Sequence, residues 1–145
     1  MPVADPAPTS CGVPLRALVF DGDAEYAGIF VDVLSFVGDG PETWATTSAT
    51  EARRRATSGS YDVIIAARES GDDHLLLDLR RYQADAVLVV TTAQELSLRD
   101  ISRLFAAGAD DVIARPFHPS GFAACINRRL TMRAQLQRGT IAVSV

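Results

Sequence analysis

The sequence predicts an α/β fold, a three-layer (βα)5 sandwich with a central five-stranded parallel sheet, and three observations lead there. Short β-branched apolar runs such as residues 61–67 (YDVIIAA) and 86–90 (AVLVV) lack polar alternation, which marks strands buried on both faces. These runs alternate five times with segments whose apolar residues recur at helical spacing. Parallel strands need crossover connections, and those connections put helices on both faces of the sheet. A length of 145 residues suits one such domain with one core and leaves no room for two.

The elements follow in order. Residues 1–14 hold four prolines and little that can pack, so a mobile leader is expected there. The first strand, 15–20, ends in Asp21, Gly22 and Asp23. Tyr26, Ile29, Phe30, Val33, Leu34 and Val37 then mark a helix that Gly38 and Gly40 stop. A short second strand, 43–46, surrounds Trp44. Ser48 and Glu51 have capping-box spacing and open a helix to about Ser58, ended by Gly59. The third strand, 61–67, is bounded by Gly59 and the polar stretch 68–73. Residues 74–82 form a helix that buries Leu75, Leu76 and Leu79 and ends in Arg80 and Arg81. The fourth strand, 86–90, exits through Thr91 and Thr92.

Ser97 or Asp100 caps the fourth helix, whose apolar stripe is Leu98, Ile101, Leu104 and Phe105 and which Gly108 terminates. Residues 111–114 are the fifth strand, and Arg115, Pro116 and Phe117 turn the chain. Pro119 suits the first turn of a fifth helix carrying Phe122, Ile126 and Leu130, which runs to about Gln137 and leaves 140–145 as an apolar tail.

Composition narrows the function. With 48% hydrophobic and 22% charged residues, the bulk of the chain is neither disordered nor a coiled coil. A formal charge of -4 opposes a role in gripping nucleic acid by phosphate neutralisation. All fourteen basic residues are arginine, which removes Schiff-base chemistry and any phosphate contact by lysine. Cys11, Cys125, His74 and His118 have no metal or redox spacing, so free thiols are expected. No apolar run approaches the roughly 18 residues of a bilayer span. Pro2, Asp5, Pro6 and Pro8 stand where a signal peptide needs basic and then apolar residues, so the expected location is the cytoplasm. Ligands of open parallel sheets bind beyond the carboxyl ends of the strands, which directs attention to 21–23, 67–69, Thr91, Thr92 and Arg115. Arg53, Arg54, Arg55, Arg80 and Arg81 read as solvated charge on helix faces, Trp44 and Tyr26 as core and rim, and Cys125 as a packed thiol.

The stretch 105–117, FAAGADDVIARPF, carries an alanine-glycine-alanine turn, two acids, a strand and an Arg-Pro-Phe exit. Together with YDVIIAA and LVFDGD (18–23) it resembles the receiver domain of bacterial response regulators, over roughly residues 15–130. That resemblance implies a flavodoxin-like sandwich. It also implies a site where an aspartate ending the third strand takes a phosphoryl group with Mg²⁺ held by an acidic pair. Carried over residue by residue, the phosphoacceptor position is Ala67, whose methyl group can neither attack phosphorus nor bind metal. The acidic pair becomes Asp21 and Gly22, the hydroxyl position Thr91, the lysine position Arg115 and the switching aromatic Val112.

The implied pocket of Asp21, Gly22, Ala67, Thr91 and Arg115 is therefore degenerate, with no catalytic residue, resident metal or cofactor. An unconventional metal site from Asp21, Asp23 and Glu69 is the alternative to a solvated acidic rim; sliding the third strand to bring Glu69 inward would shorten its buried run. Arg115 is expected to pair with Asp21, the alternative being a guanidinium pointing into solvent. The resemblance implies a cis bond between Arg115 and Pro116.

Without phosphoryl chemistry, the expected asset is the face of the fourth helix, fifth strand and fifth helix, through Leu98, Leu104, Ala106, Phe122 and Cys125. Transcription-factor receivers dimerise there through charged pairs; Ala106, Cys125 and Asn127 replace that ladder here. Leu98, Leu104 and Phe122 then supply an apolar surface unless they face the core. Residues 131–145 resemble the helix through which receivers pass into an output domain. The expectation is a non-enzymatic, phosphorylation-independent module of a response regulator. It would act in signal transduction and transcription regulation through a protein partner, a homodimer or an attached output domain, without touching nucleic acid or membrane. The alternative is a small-ligand or anion sensor using the emptied pocket.

Overall fold

The computed structural model describes residues 14–69, 73–93 and 95–143, with side chains as far as Gln137; the expected leader up to residue 13, with Cys11, lies outside them. Ten elements alternate along the chain: β1 (Arg16–Phe20), α1 (Ala24–Leu34), β2 (Glu42–Thr46), α2 (Ala49–Ser58), β3 (Val63–Ala67), α3 (His74–Tyr82), β4 (Val87–Thr92), α4 (Leu98–Ala106), β5 (Asp111–Ala114) and α5 (Pro119–Val143). The five strands form one parallel sheet, as the sequence predicts, and their order is β2-β1-β3-β4-β5.

Two separate cores flank the sheet. On one face Phe30, Val33 and Leu34 of α1 and Phe122, Ala123 and Ile126 of α5 pack on Ala17, Val19, Val63, Ile65 and Val89. Phe30 sits at the centre, its ring centroid 5.5 Å from Phe117 and 5.6 Å from Phe122. On the other face Ala52 and Ala56 of α2, Leu75, Leu76 and Leu79 of α3, and Leu104 of α4 cover Leu18, Phe20, Ile64, Leu88 and Val90. Alternate residues of one strand thus feed opposite cores, which is why β3 and β4 read as continuous apolar runs.

Local signals set the helix starts. Asp23 caps α1 by accepting from the Glu25 N–H at 2.9 Å, and Ser48 caps α2 by accepting from Glu51 N–H at 3.2 Å. The capping box is only half formed. The Glu51 carboxylate turns outward to Arg54 and Arg55, and the Arg54 hydrogen bond holds its carboxyl below the ordinary range. Of the two candidates for α4, Ser97 is the cap and receives the Asp100 N–H at 3.1 Å.

Several boundaries differ from expectation, among them those of β3, β4 and α5. β3 starts at Val63 because Tyr61 N–H is taken by the Gln83 side chain at 3.0 Å. β4 runs on through Thr91 and Thr92, which pair with Ile113 and Ala114. α5 continues to Val143, so part of the expected tail is helix.

Arg80, expected as solvated charge, ties the lower end of the sheet. Its guanidinium donates to the carbonyls of Gly108 (2.9 Å), Gln83 (3.1 Å), Ala84 (2.8 Å) and Ala86 (2.9 Å) and to the Asp110 carboxylate at 2.9 Å. Asp110 in turn accepts the N–H of Leu88, joining the α3–β4 and α4–β5 connections. Gly108 has φ 116°, and a Cβ there would fall 2.5 Å from Arg80 Cγ, so both conformation and space require glycine. Arg80→Met keeps the stem but strands these acceptors, and it lowers unfolding stability by about 3 kcal/mol. The check is the urea midpoint at unchanged m-value.

Candidate functional site

The order of the strands reverses on either side of β1, so a crevice opens above the carboxyl ends of β1, β3 and β4. Asp21 follows β1 directly. Ala67 ends β3 and is paired in register with Thr91 of β4, while Arg115 follows β5 with its N–H on the Thr92 carbonyl at 3.0 Å. Asp21, Ala67, Thr91 and Arg115 are therefore brought to one edge. Val112 of β5 pairs with Val90 and packs, half-buried, on the core under α2, α3 and α4.

Asp21 is 3% exposed and Thr91 is fully buried. One carboxylate oxygen of Asp21, Oδ1, accepts the Asp23 N–H at 2.8 Å, which shapes the turn into α1. The other, Oδ2, has no partner among the described residues, and neither do Thr91 Oγ1 and Arg115 Nε. Buried polar atoms are nearly always satisfied, so this edge holds unused hydrogen-bonding capacity. Ala67, at 3% exposure, contributes only a methyl group beside them.

Arg115 does not pair with Asp21 as expected. Its guanidinium carbon lies 4.0 Å from the centroid of the Tyr26 ring on α1. Stacking on an aromatic face suits the planar, weakly hydrated guanidinium and takes it away from the expected ion pair. The bond between Arg115 and Pro116 is cis.

Glu69 fills a place that sequence reasoning gave to nothing. A Cβ on Gly22 would collide with Glu69 Oε2, so the carboxylate from the end of β3 lies where a second acid after β1 would project. The third strand reaches this arrangement without any slide, since Ala67 remains opposite Thr91. Asp23 is committed to capping α1, and among the described residues no three His, Cys, Asp or Glu side chains converge to hold a metal ion.

The expected association face needs correction. Leu104 is fully buried and Phe122 is 2% exposed, both in the core, because each points inward from its helix toward the sheet. Leu98 is 84% exposed, Ala106 is exposed and Cys125 is half-buried, so these remain at the surface. Phe105, assigned from the sequence to the buried stripe, is 45% exposed. α4 lies over the sheet edge, where too little sheet remains to cover a full apolar stripe. Met132 and Leu136 of α5 add exposed apolar surface that the sequence reading did not single out. Among the described residues no helix is long and apolar enough to cross a membrane.

Solved structures share this architecture. A CheY-like response regulator receiver domain from Methanospirillum hungatei JF-1 superposes with a TM-score of 0.75 at 20% identity, covering 85% of this chain and 98% of that one. An orphan response regulator of H. pylori gives 0.70 at 20% identity, with 80% and 96% covered. A Burkholderia pseudomallei response regulator, solved with a phosphorylated aspartic acid, calcium ion and citrate, gives 0.68 at 22% identity, with 86% and 72% covered. No protein-family model and no curated protein matches the sequence. The chain has the fold of response regulator receiver domains.

The unpartnered Thr91 hydroxyl has a measurable consequence. Thr91→Val keeps the shape and removes a buried polar atom without a partner, and stability rises by about 1 kcal/mol. Chemical denaturation of the two proteins checks the sign; a loss on substitution would mean that the hydroxyl is satisfied in solution.

Proposed function

We propose that this chain is a receiver-like module of a response regulator that works without phosphorylation and without enzymatic activity, as a cytoplasmic protein-interaction unit in two-component or related signalling. The observation that carries the reading is Ala67: a buried methyl ends β3 in the position where the receiver resemblance calls for the phosphoacceptor aspartate. The Burkholderia pseudomallei neighbour carries a phosphorylated aspartic acid. An alanine offers no oxygen to form that acyl phosphate. The diversion of Arg115 onto Tyr26 supports the same conclusion, since charge on a transferring phosphoryl group must be neutralised. What remains for function is surface: Leu98, Phe105 and Ala106 on α4, and the long α5, which suits a connection to an output element in transcription regulation.

A second reading is favoured by the unused Thr91 Oγ1 and Arg115 Nε, both potential donors to a small anion in the emptied pocket. Phosphate at millimolar concentration would then raise the melting temperature, and Arg115→Gln would abolish the rise.

Isothermal titration calorimetry reads ion binding at the site directly. Under the first reading, no heat of binding appears when Mg²⁺ and beryllofluoride are added together, and acetyl phosphate leaves no acid-stable or acid-labile phosphate on the protein. A saturable Mg²⁺ titration in the millimolar range would overturn it.

A further inference from the structure

We infer that the groove between α1 and β2 receives α4 of a second copy of this chain, in a head-to-tail contact. The inference rests on the proposed role as an interaction module and names what the α4 face engages.

Charge is divided along the sequence. Between residues 17 and 52 there are seven acids, Asp21, Asp23, Glu25, Asp32, Asp39, Glu42 and Glu51, and no basic residue. Asp21 is buried and Glu51 is bound to arginines, but Asp23, Glu25, Asp32 and Asp39 are exposed and form no ion pair among the described residues. This acidic pole surrounds an open groove of about 500 Å³ floored by Ala24, Ala27, Gly28 and Val31 of α1 and Ala45 of β2.

Gly28 is the informative residue. Glycine in mid-helix costs helix stability, and nothing in the packing of the described residues calls for it, because a Cβ there would meet none of their atoms within 4 Å. Glu25 and Asp32, three residues before and four after, stand on its side of the helix. The result is a shallow apolar floor with carboxylates at its margin.

The complementary surface is on the opposite edge of the sheet. α4 carries Arg99 and Arg103, both exposed and without ion pairs among the described residues. Beside them stand Leu98, Phe105 and the small Ser102 and Ala106. Small residues at the middle of this face let the helix approach Gly28 closely, while its arginines reach the acidic margin. A symmetric contact of α4 with α4 would instead set Arg99 and Arg103 of both copies against each other. Groove and α4 lie at the two ends of the strand order, β2 and β5, so a single copy can use both at once. The contact is therefore heterologous and extends beyond a dimer unless a ring closes.

Analytical ultracentrifugation of the full chain tests this. The wild type sediments as species that grow past the dimer with concentration at low ionic strength and dissociate with added salt. Gly28→Gln adds a helix-favouring side chain into open space, so it folds, as circular dichroism verifies, and it weakens self-association about tenfold. Arg103→Glu, on an exposed site, does the same. Mixing the two variants restores a one-to-one complex that grows no further, since each keeps the half that the other has lost.

A monomeric wild type, an association indifferent to Gly28→Gln, or a mixture that fails to pair would each overturn the inference. Those failures leave the phosphorylation-independent reading standing, because that reading is decided separately by the Mg²⁺ and beryllofluoride response.

Discussion

Burial of three adjacent strands on both faces is the constraint from which the rest of this structure follows. Every residue of Val63–Ala67 and of Val87–Thr92 is buried, and four of the five residues of Arg16–Phe20 are. Buried backbone must find its hydrogen bonds in the ladder, so register is fixed, and a slip by one residue would send each apolar side chain to the wrong core. That fixed register puts Asp21, Ala67 and Thr91 side by side at one edge. The helices, cores and surface patches are arranged around it.

The same rigidity explains the character of the candidate site. Its polar residues are held by a scaffold that does not relax to satisfy them, so Asp21 Oδ2, Thr91 Oγ1 and Arg115 Nε have no partner among the described residues. Arg115 finds Tyr26 on a neighbouring helix, a partner that needs no movement of the strands. Glu69, two residues past β3, takes the space that Gly22 leaves. Rigid elements conserve the geometry of the edge while the connections redistribute the charge, and the outcome is an edge with receiver-like shape and altered chemistry.

At the other end of the sheet a different economy operates. Arg80 makes five hydrogen bonds to two connections and a carboxylate, and Arg133 of α5 donates to the carbonyls of Asp62 and Asp85 and to the Asp62 carboxylate. Asp62 also accepts the Arg16 N–H at 2.9 Å, so the extended part of α5 is fastened to the starts of β1 and β3. With no lysine available, arginine serves here as a multidentate brace, a use for which its planar fork is suited. The arginines left outside such braces, among them Arg99 and Arg103, stand exposed on α4.

Most of the fold was legible because the signals were local or periodic. Unalternating apolar runs marked the buried strands, helical spacing marked α1, α3 and α5, and Ser48 and Ser97 were readable as caps because capping is decided within three residues. The absence of an acid at Ala67 was equally plain, since a missing functional group needs no structure to be noticed.

What only the tertiary structure decided concerns groups whose partners are distant in the chain. Leu104 and Phe105 are chemically alike and adjacent, yet one is buried and the other is not, because α4 overhangs the sheet edge. Arg115 has Asp21 as the charged partner that the sequence offers, yet its guanidinium stacks on the Tyr26 ring of α1. Gly22 and Glu69 share one space though 47 residues apart. Composition and spacing determine which elements form and which chemistry is lost; the direction in which each surface side chain points depends on the shape of its neighbours, and that shape exists only once the whole sheet is assembled.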